Sequence, residues 1–251
     1  MRLLFLFALL SLLVACQSDA PVTEEKGPAS ANGTTATEAQ GPANRFDAEI
    51  EAFEKMDKAN GMPKPGGVVL VGSSSIRLWN SAEADLAPLP VVRRGFGGAR
   101  IDDVLHFMDR IVLPYRPSMV VFFAGTNDLA GNDDDLTPAE IRDRYEQFVT
   151  RLHAALPETD VFFISITPSK AREAQLAEVM STNDLIQAYS AENPRLHFFD
   201  LEEAFLDADE TVKDEYFVED GLHLNPRGYA LWKKEMHTPL MRMYMTKPKV
   251  Q

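Results

Sequence analysis

Three consecutive serines stand directly after an apolar run in the first third of the chain. The run VVLV, residues 68–71, is followed by Gly72 and then by Ser73, Ser74 and Ser75. A serine hydroxyl attacks an acyl carbon only when a neighbouring base takes its proton and hydrogen-bond donors stabilise the oxyanion that forms. Serines after a strand are more often turn residues or helix N-caps. Whether one of these serines is a nucleophile therefore depends on what the rest of the chain supplies.

A candidate base with a carboxylate partner lies far along the chain, in the segment EDGLH. His223 follows Asp220 by three residues, close enough for the carboxylate to fix the imidazole tautomer and favour its charged form. Glu219 is almost as near to the histidine. The spacing alone does not choose between the two carboxylates.

Candidate oxyanion donors occur in two further segments. Gly97 and Gly98, in GFGG, offer backbone N–H groups that no side chain shields, and Asn127, in GTND, offers a side-chain amide. A nucleophile, a base, an orienting carboxylate and oxyanion donors form the set that acyl transfer requires. Because these residues are far apart in sequence, the fold has to bring them together.

Short apolar strands alternate with helical patterns along the chain. The expected strands cover residues 68–71, 91–92, 118–125, 161–166 and 196–200. The expected helices cover residues 46–60, about 75–86, 99–112, 139–156, 171–191 and 227–244, with Thr137 and Asn225 as N-caps. The alternation predicts one α/β domain, a three-layer α/β/α sandwich with a mainly parallel sheet. Ligands of such sheets bind beyond the carboxyl ends of the strands, where the serine and glycine segments and GTND are expected.

Four short blocks resemble the SGNH (GDSL-like) hydrolases, a family named after a serine, a glycine, an asparagine and a histidine. GSS, GFGG, GTND and DGLH occur in the family's order, and GSSSIRLW with RGFGG resembles bacterial relatives of platelet-activating-factor acetylhydrolase catalytic subunits. The resemblance spans roughly residues 66–242 and implies the SGNH hydrolase fold with a flavodoxin-like sheet. It implies a serine esterase that uses no cofactor and no metal and cleaves a small-molecule or glycan ester.

The resemblance also assigns roles to individual residues. It implies Ser74 as the nucleophile, His223 as the base and Asp220 as the carboxylate that orients the base. It implies an oxyanion hole made of the backbone N–H groups of Ser74 and Gly98 and the side-chain amide of Asn127. The expected reaction proceeds through an acyl-enzyme on the serine.

Other interpretations of these segments are weaker. An α/β-hydrolase elbow would need glycine where Ile76 stands, and a dinucleotide fingerprint would need glycine where Arg100 stands. The acidic run Asn132–Asp135 lacks the glycine of a calcium-binding EF-hand loop. The alternative from another class is a non-catalytic surface lipoprotein that binds an envelope glycan or partner. It is favoured only by Ser73, which replaces the family's usual aspartate and puts the local turn geometry in question more than the chemistry.

The remaining histidines are expected to be packing or surface residues, because no pair of them has the spacing of a zinc site. They are His106, His153, His197 and His237.

The N-terminal segment has the pattern of a bacterial lipoprotein signal. Residues 3–15 form an apolar run too short to span a membrane, and LVAC at its end resembles a lipobox, which implies cleavage before Cys16 and lipid attachment to it. Residues 17–44 hold few large apolar side chains and predict a disordered tether. We therefore expect a signal peptide at 1–15, a lipidated cysteine with a tether at 16–44, and a hydrolase domain at 45–251. With Gln17 next to the cysteine, the expected location is the bacterial cell envelope, anchored to the outer membrane and facing the periplasm or the exterior.

The charge of the chain argues against a role in nucleic-acid binding. The formal net charge is -13, and a protein this acidic repels polyanions. We therefore expect no nucleic-acid partner and attribute membrane association to the lipid alone. An envelope location and a small strand-end site favour short acyl chains, such as acetyl groups on a carbohydrate.

Overall fold

The structure, a computed structural model, describes residues 44–247 of the chain. The signal peptide at 1–15, the lipidation site at Cys16 and the tether up to residue 43 lie outside the described residues and stay predictions. Asn44, the last residue of the predicted tether, is described: its backbone N–H donates to Asp47 Oδ2 at 2.6 Å. Between residues 44 and 247, no helix is long and apolar enough to cross a membrane.

One parallel sheet forms the centre of the fold. Its strands are β1 (Val68–Gly72), β2 (Val91–Gly95), β3 (Met119–Phe123), β4 (Asp160–Ile164) and β5 (Leu196–Phe199). All neighbours pair in parallel in the order β2-β1-β3-β4-β5, which is the flavodoxin-like order. Every residue of β1, β3 and β4 is buried, which explains why these strands are apolar at nearly consecutive positions. The predicted fold class is confirmed.

Helices follow the strands along the chain. The described residues form α1 (Asp47–Asn60), α2 (Ser74–Leu78), α3 (Ala82–Asp85), α4 (Ile101–His106), α5 (Met108–Ile111), α6 (Pro138–Ala155), α7 (Leu176–Ala191) and α8 (Pro226–Thr246). The two predicted N-caps are confirmed: Thr137 Oγ1 accepts from Glu140 N at 3.3 Å, and Asn225 Oδ1 accepts from Arg227 N at 2.8 Å.

Three predicted helices are less regular than their periodicity indicates. The helix expected over 75–86 is two short helices, because Trp79 between them turns inward. Its fully buried ring packs edge-on against Trp232 at 5.6 Å, and its indole N–H donates to Asp85 at 2.9 Å. The helix expected from residue 99 begins at Ile101 and breaks before α5, and the one expected from 171 opens with a 3-10 helix over Lys170–Gln175.

Helices cover both faces of the sheet and create two apolar cores. Alternate residues of β1 contribute to each, with Val69 and Val71 in one core and Val68 and Leu70 in the other. Side chains of α1 and α4 to α7 fill the first core, and side chains of α2, α3 and α8 fill the second. The sheet between them is therefore a rigid platform, and the loops that leave its carboxyl edge begin at fixed positions.

Candidate active site

The turn between β1 and α2 presents Ser74 as the first residue of a helix. Gly72 precedes it with φ at +144°, and a Cβ at this position would lie 1.9 Å from the Phe123 carbonyl oxygen, so only glycine fits. The backbone N–H of Ser73 donates to the same carbonyl at 2.9 Å. Ser73 is buried and its side chain makes no capping bond, so main-chain contacts hold this turn without the family's usual aspartate.

Ser74, His223 and Asp220 form a continuous hydrogen-bonded chain. His223 Nε2 lies 2.9 Å from Ser74 Oγ, and His223 Nδ1 lies 2.6 Å from Asp220 Oδ2. Partial burial acts to raise the pKa of Asp220, but hydrogen bonds from the His223 side chain and from the backbone N–H groups of His223 and Leu222 outweigh it and lower the pKa to about 2. Of the two carboxylates that spacing left open, Asp220 and not Glu219 contacts the histidine.

The loop that carries His223 is fixed by the N-cap of α8. Asn225 caps that helix with its side-chain oxygen, and its side-chain amide donates to the carbonyls of Glu215 and Phe217, each at 2.9 Å. The backbone N–H of Val218 donates to the His223 carbonyl at 2.9 Å. The short loop that carries the imidazole is thus held by backbone and side-chain hydrogen bonds and by the start of α8. These contacts limit the movement of the imidazole relative to α2.

The predicted oxyanion donors lie on two adjoining loops. Gly98 has φ at +76°, and a Cβ there would meet no atom within 4 Å, so its peptide borders open space. Within residues 44–247, the backbone N–H groups of Ser74 and Gly98 donate to no protein acceptor. Asn127 Nδ2 donates to the Ala99 carbonyl at 2.9 Å, which uses one of its two N–H bonds and leaves the second for a ligand.

A cavity of about 10 Å³, room for about one water-sized group, lies beside the nucleophile turn. Its lining includes Ser74, Asn127, Thr126, Thr167 and Leu222. The hydroxyls of Thr126 and Thr167 are buried and have no hydrogen-bond partner among the described residues. Gly98 is not part of this lining, although its loop is joined to Asn127 through Ala99.

Sequence reasoning missed Thr167, Leu222 and Arg100. Thr167 lies in the loop after β4, beyond a carboxyl strand end where ligands of parallel sheets bind, and this position is the signal that indicates it. Leu222 directly precedes the candidate base. Arg100, considered only as a residue that breaks a glycine fingerprint, donates to the Asn127 carbonyl at 3.0 Å.

The acidic run and the remaining histidines make contacts of their own. Asp134 and Asp135 pair with Arg100. The rings of three histidines contact backbone or carboxylate oxygens away from the nucleophile turn: His153 Nε2 lies 2.9 Å from the Thr159 carbonyl, His197 Nε2 lies 3.5 Å from Asp160, and His237 Nε2 lies 3.0 Å from the Ala87 carbonyl. His106 packs edge-on against Phe107 at 4.6 Å.

Asp128, next to Asn127, is a fully buried carboxyl that joins the two donor loops. Both of its oxygens lie 3.3 Å from the backbone N of Ile101, the first residue of α4. Burial raises the pKa of Asp128 to about 7, although the Ile101 N–H and the charge of Arg100 act to lower it.

Asp128→Asn is expected to change the pH dependence of stability. Between about pH 4 and pH 7 the folded chain keeps a proton on this carboxyl that the unfolded chain has lost, so rising pH destabilises the parent across this window. Asparagine cannot ionise and avoids this loss. In urea unfolding at several pH values, the free energy of unfolding of the variant relative to the parent should rise by roughly 1 to 3 kcal/mol from pH 4.5 to pH 7.5. A constant difference between the two proteins would contradict this.

The fold and the loops at its strand ends define a class, the α/β/α hydrolases of the SGNH type. The sequence profile of the GDSL-like lipase/acylhydrolase family matches residues 71–231, more than half of the chain. The chain belongs to this family and is a GDSL-type esterase, which confirms the resemblance drawn from its four blocks.

Relatives and solved structures agree with this membership. The chain is similar to platelet-activating factor acetylhydrolase IB subunit alpha1 of Homo sapiens and of Pongo abelii, with 27% identity over 190 residues, 74% of this chain and 80% of each relative. Its fold is similar to a GDSL-like lipase from Bacteroides thetaiotaomicron, with a TM-score of 0.64, 20% identity and coverage of 78% of this chain and 98% of that one. It is also similar to a lipase/acylhydrolase from Enterococcus faecalis, with a TM-score of 0.56, 23% identity and coverage of 74% and 100%.

Proposed function

We propose that this esterase hydrolyses short-chain esters through an acyl-enzyme on Ser74. The observation that carries the proposal is the chain of contacts from Ser74 Oγ through both nitrogens of His223 to Asp220, at 2.9 and 2.6 Å. This is the relation between nucleophile, base and orienting carboxylate that serine hydrolases use on unrelated folds.

These positions support a reaction in two steps. His223 Nε2 takes the Ser74 proton as Oγ attacks the acyl carbon, and the imidazolium is stabilised by the ionised Asp220. The oxyanion accepts hydrogen bonds from the backbone N–H groups of Ser74 and Gly98 and from the second side-chain N–H of Asn127. The intermediate collapses as His223 returns the proton to the leaving alcohol. Water then attacks the acyl-enzyme as His223 takes its proton, and the imidazolium returns that proton to Ser74 Oγ as the bond to the acyl carbon breaks and the carboxylic acid leaves.

The cavity beside Ser74 supports a short acyl group. We place the acyl substituent of the Ser74 ester in this cavity, because Ser74 is part of its lining. That space of about 10 Å³ accommodates a methyl group and not a long chain. The hydroxyls of Thr126 and Thr167, which have no hydrogen-bond partner within residues 44–247, make its wall polar, and this further disfavours a long apolar chain. The similarity to an acetylhydrolase points the same way, and we propose acetyl esters, including those of acetylated carbohydrates, as the substrate class.

Chain-length selectivity tests this proposal. With the full-length protein, kcat/KM for p-nitrophenyl acetate should exceed that for p-nitrophenyl octanoate by about 100-fold or more, because the longer chain has no room beside the serine. Leu222→Ala, which enlarges the cavity, should narrow this ratio by raising the rate on the octanoate. Equal rates on the two esters in the parent would overturn the short-chain assignment while leaving the nucleophile untouched.

Asn127→Ala is expected to lower kcat by about 10² to 10³, the usual cost of removing one oxyanion donor. KM should change little, because the donor bonds most strongly to the charge that develops in the transition state. Steady-state kinetics on p-nitrophenyl acetate measure the effect, and the melting temperature shows whether losing the bond to Ala99 disturbs the fold. A loss below about tenfold in a folded variant would mean that another group supplies this donor.

A further inference from the structure

Two loops supply the proposed oxyanion donors, and consecutive contacts join them. We call residues 96–100 and 125–135 the oxyanion loops. Asn127 Nδ2 donates to the Ala99 carbonyl at 2.9 Å, Arg100 Nε donates to the Asn127 carbonyl at 3.0 Å, and the N–H of Ile101, which directly follows the first loop, faces Asp128 at 3.3 Å. The side chain and the main-chain carbonyl of Asn127 are therefore both bonded to the loop of Gly98.

Among the residues that make these bonds, Arg100 contacts both the beginning and the end of the second oxyanion loop. Its Nη1 donates to the Asp134 carbonyl at 3.1 Å and to Asp134 Oδ2 at 2.8 Å, and its Nη2 donates to Asp134 Oδ1 at 3.0 Å. The same Nη2 lies 3.6 Å from Asp135 Oδ1. One planar guanidinium thus bonds to the start and the far end of the loop at the same time, which a single ammonium group cannot do.

The solvent exposure of these ion pairs indicates that they affect the geometry of the oxyanion loops more than the stability of the fold. The Arg100 side chain is 23% exposed and the Asp134 side chain is 74% exposed. Ion pairs with so much solvent contact contribute little to folding. The buried end of the guanidinium, in contrast, contacts the peptide of Asn127, where a small rotation would move the amide that faces the oxyanion.

We propose that Arg100 is a positioning residue for the oxyanion hole, acting through Asn127. This inference rests on the proposed function of Asn127 as a donor. The acidic residues Asp134 and Asp135 hold the outer edge of the guanidinium, so that its Nε–H fixes the Asn127 carbonyl and with it the direction of the side-chain amide. The acidic run then serves as the anchor of an arginine clamp.

A double-mutant cycle on the full-length protein tests this assignment. Arg100→Met, Asn127→Ala and the double variant are compared on p-nitrophenyl acetate. The matched control is Arg151→Met, because Arg151 likewise donates to a backbone carbonyl, that of Leu105 at 2.8 Å, and pairs with a carboxylate, Asp109, with its side chain 40% exposed. Arg151 contacts neither oxyanion loop through these bonds.

Arg100→Met should lower kcat by about tenfold or more while KM stays within about twofold, because a donor displaced by a fraction of an ångström loses its bond in the transition state. Arg151→Met should leave both constants within about twofold. In the Asn127→Ala background, the effect of Arg100→Met should shrink to less than about twofold, since the amide through which it acts is gone. A merely structural role would lower the melting temperature and add to Asn127→Ala without such coupling.

The assignment is overturned if Arg100→Met costs the same factor in both backgrounds, or no more than Arg151→Met. Should Arg100→Met fail to fold, Arg100→Lys takes its place in the cycle: it keeps the charge, reaches only one end of the loop and should give the same coupling. Ser74→Ala in the same series distinguishes a failure of the proposed function from a failure of the role assigned to Arg100. Activity that survives in Ser74→Ala rejects the proposed nucleophile, whereas an additive cycle rejects only the role of Arg100.

Discussion

Replacing Ser74 with alanine is expected to reduce kcat on p-nitrophenyl acetate to the background rate, a loss of at least about 10⁴-fold. The hydroxyl that His223 contacts is the atom that would form the acyl-enzyme, and alanine offers nothing in its place. The fold should be unaffected, because the turn is held by main-chain contacts of Gly72 and Ser73 with Phe123. Burst and steady-state kinetics of parent and variant measure the loss, with the melting temperature as the control for folding.

The neighbouring serines provide matched controls for this variant. Ser73 makes no side-chain capping bond, and Ser75 is bonded through its carbonyl, which accepts from Tyr229 Oη at 2.8 Å. Ser73→Ala and Ser75→Ala should therefore retain kcat within about tenfold of the parent. A Ser74→Ala protein that kept more than about a hundredth of the parent rate, or a total loss in Ser73→Ala or Ser75→Ala, would contradict the choice of the middle serine.

Asp220→Asn is expected to lower kcat by about 10³-fold. Asparagine offers an N–H where the ring needs an acceptor, so it favours the tautomer that leaves Nε2 protonated and unable to take the serine proton. It also removes the negative charge that stabilises the imidazolium. The Asp220 side chain is 48% exposed, so water partly replaces it, and the loss should fall below the ~10⁴-fold seen for a buried aspartate in this role.

Glu219→Gln is the control for the charge at this position. Glu219 is adjacent in sequence, but the contact to His223 comes from Asp220. The Glu219 variant should keep kcat within about twofold of the parent across pH 6 to 9. Comparable losses in both variants would mean that the loop's net charge matters rather than the hydrogen bond at Nδ1.

The sheet and the residues at the carboxyl ends of its strands were predictable because local sequence patterns determine them. Runs such as VVLV and VFFISI read as strands covered on both faces, and proline after Thr137 or Asn225 marked two helix starts. Once the parallel sheet was inferred, the strand-end rule placed Ser74, Gly98 and Asn127 at one edge. The structure brings Ser74, His223 and Asp220 into contact as the four blocks imply, although their chemical roles stay predictions.

What the sequence left unpredicted depends on contacts between distant segments. The break at Trp79 arises from packing against Trp232 in the last helix, and helical periodicity carries no sign of that partner. Likewise, nothing near Arg100 in the sequence indicates that its guanidinium meets the carbonyl of Asn127 and the acidic run beyond it. The size of the cavity beside Ser74 depends on residues from several separate loops, so no single motif encodes it.

The most direct test of the proposed mechanism is to identify the residue that a fluorophosphonate probe modifies. The full-length protein is treated with the probe, digested and mapped by mass spectrometry, with Ser74→Ala treated in parallel. The mechanism predicts a single adduct on Ser74, formed as activity is lost, and no adduct in the variant. An adduct on Ser73 or Ser75, or complete loss of activity with Ser74 unmodified, would contradict it.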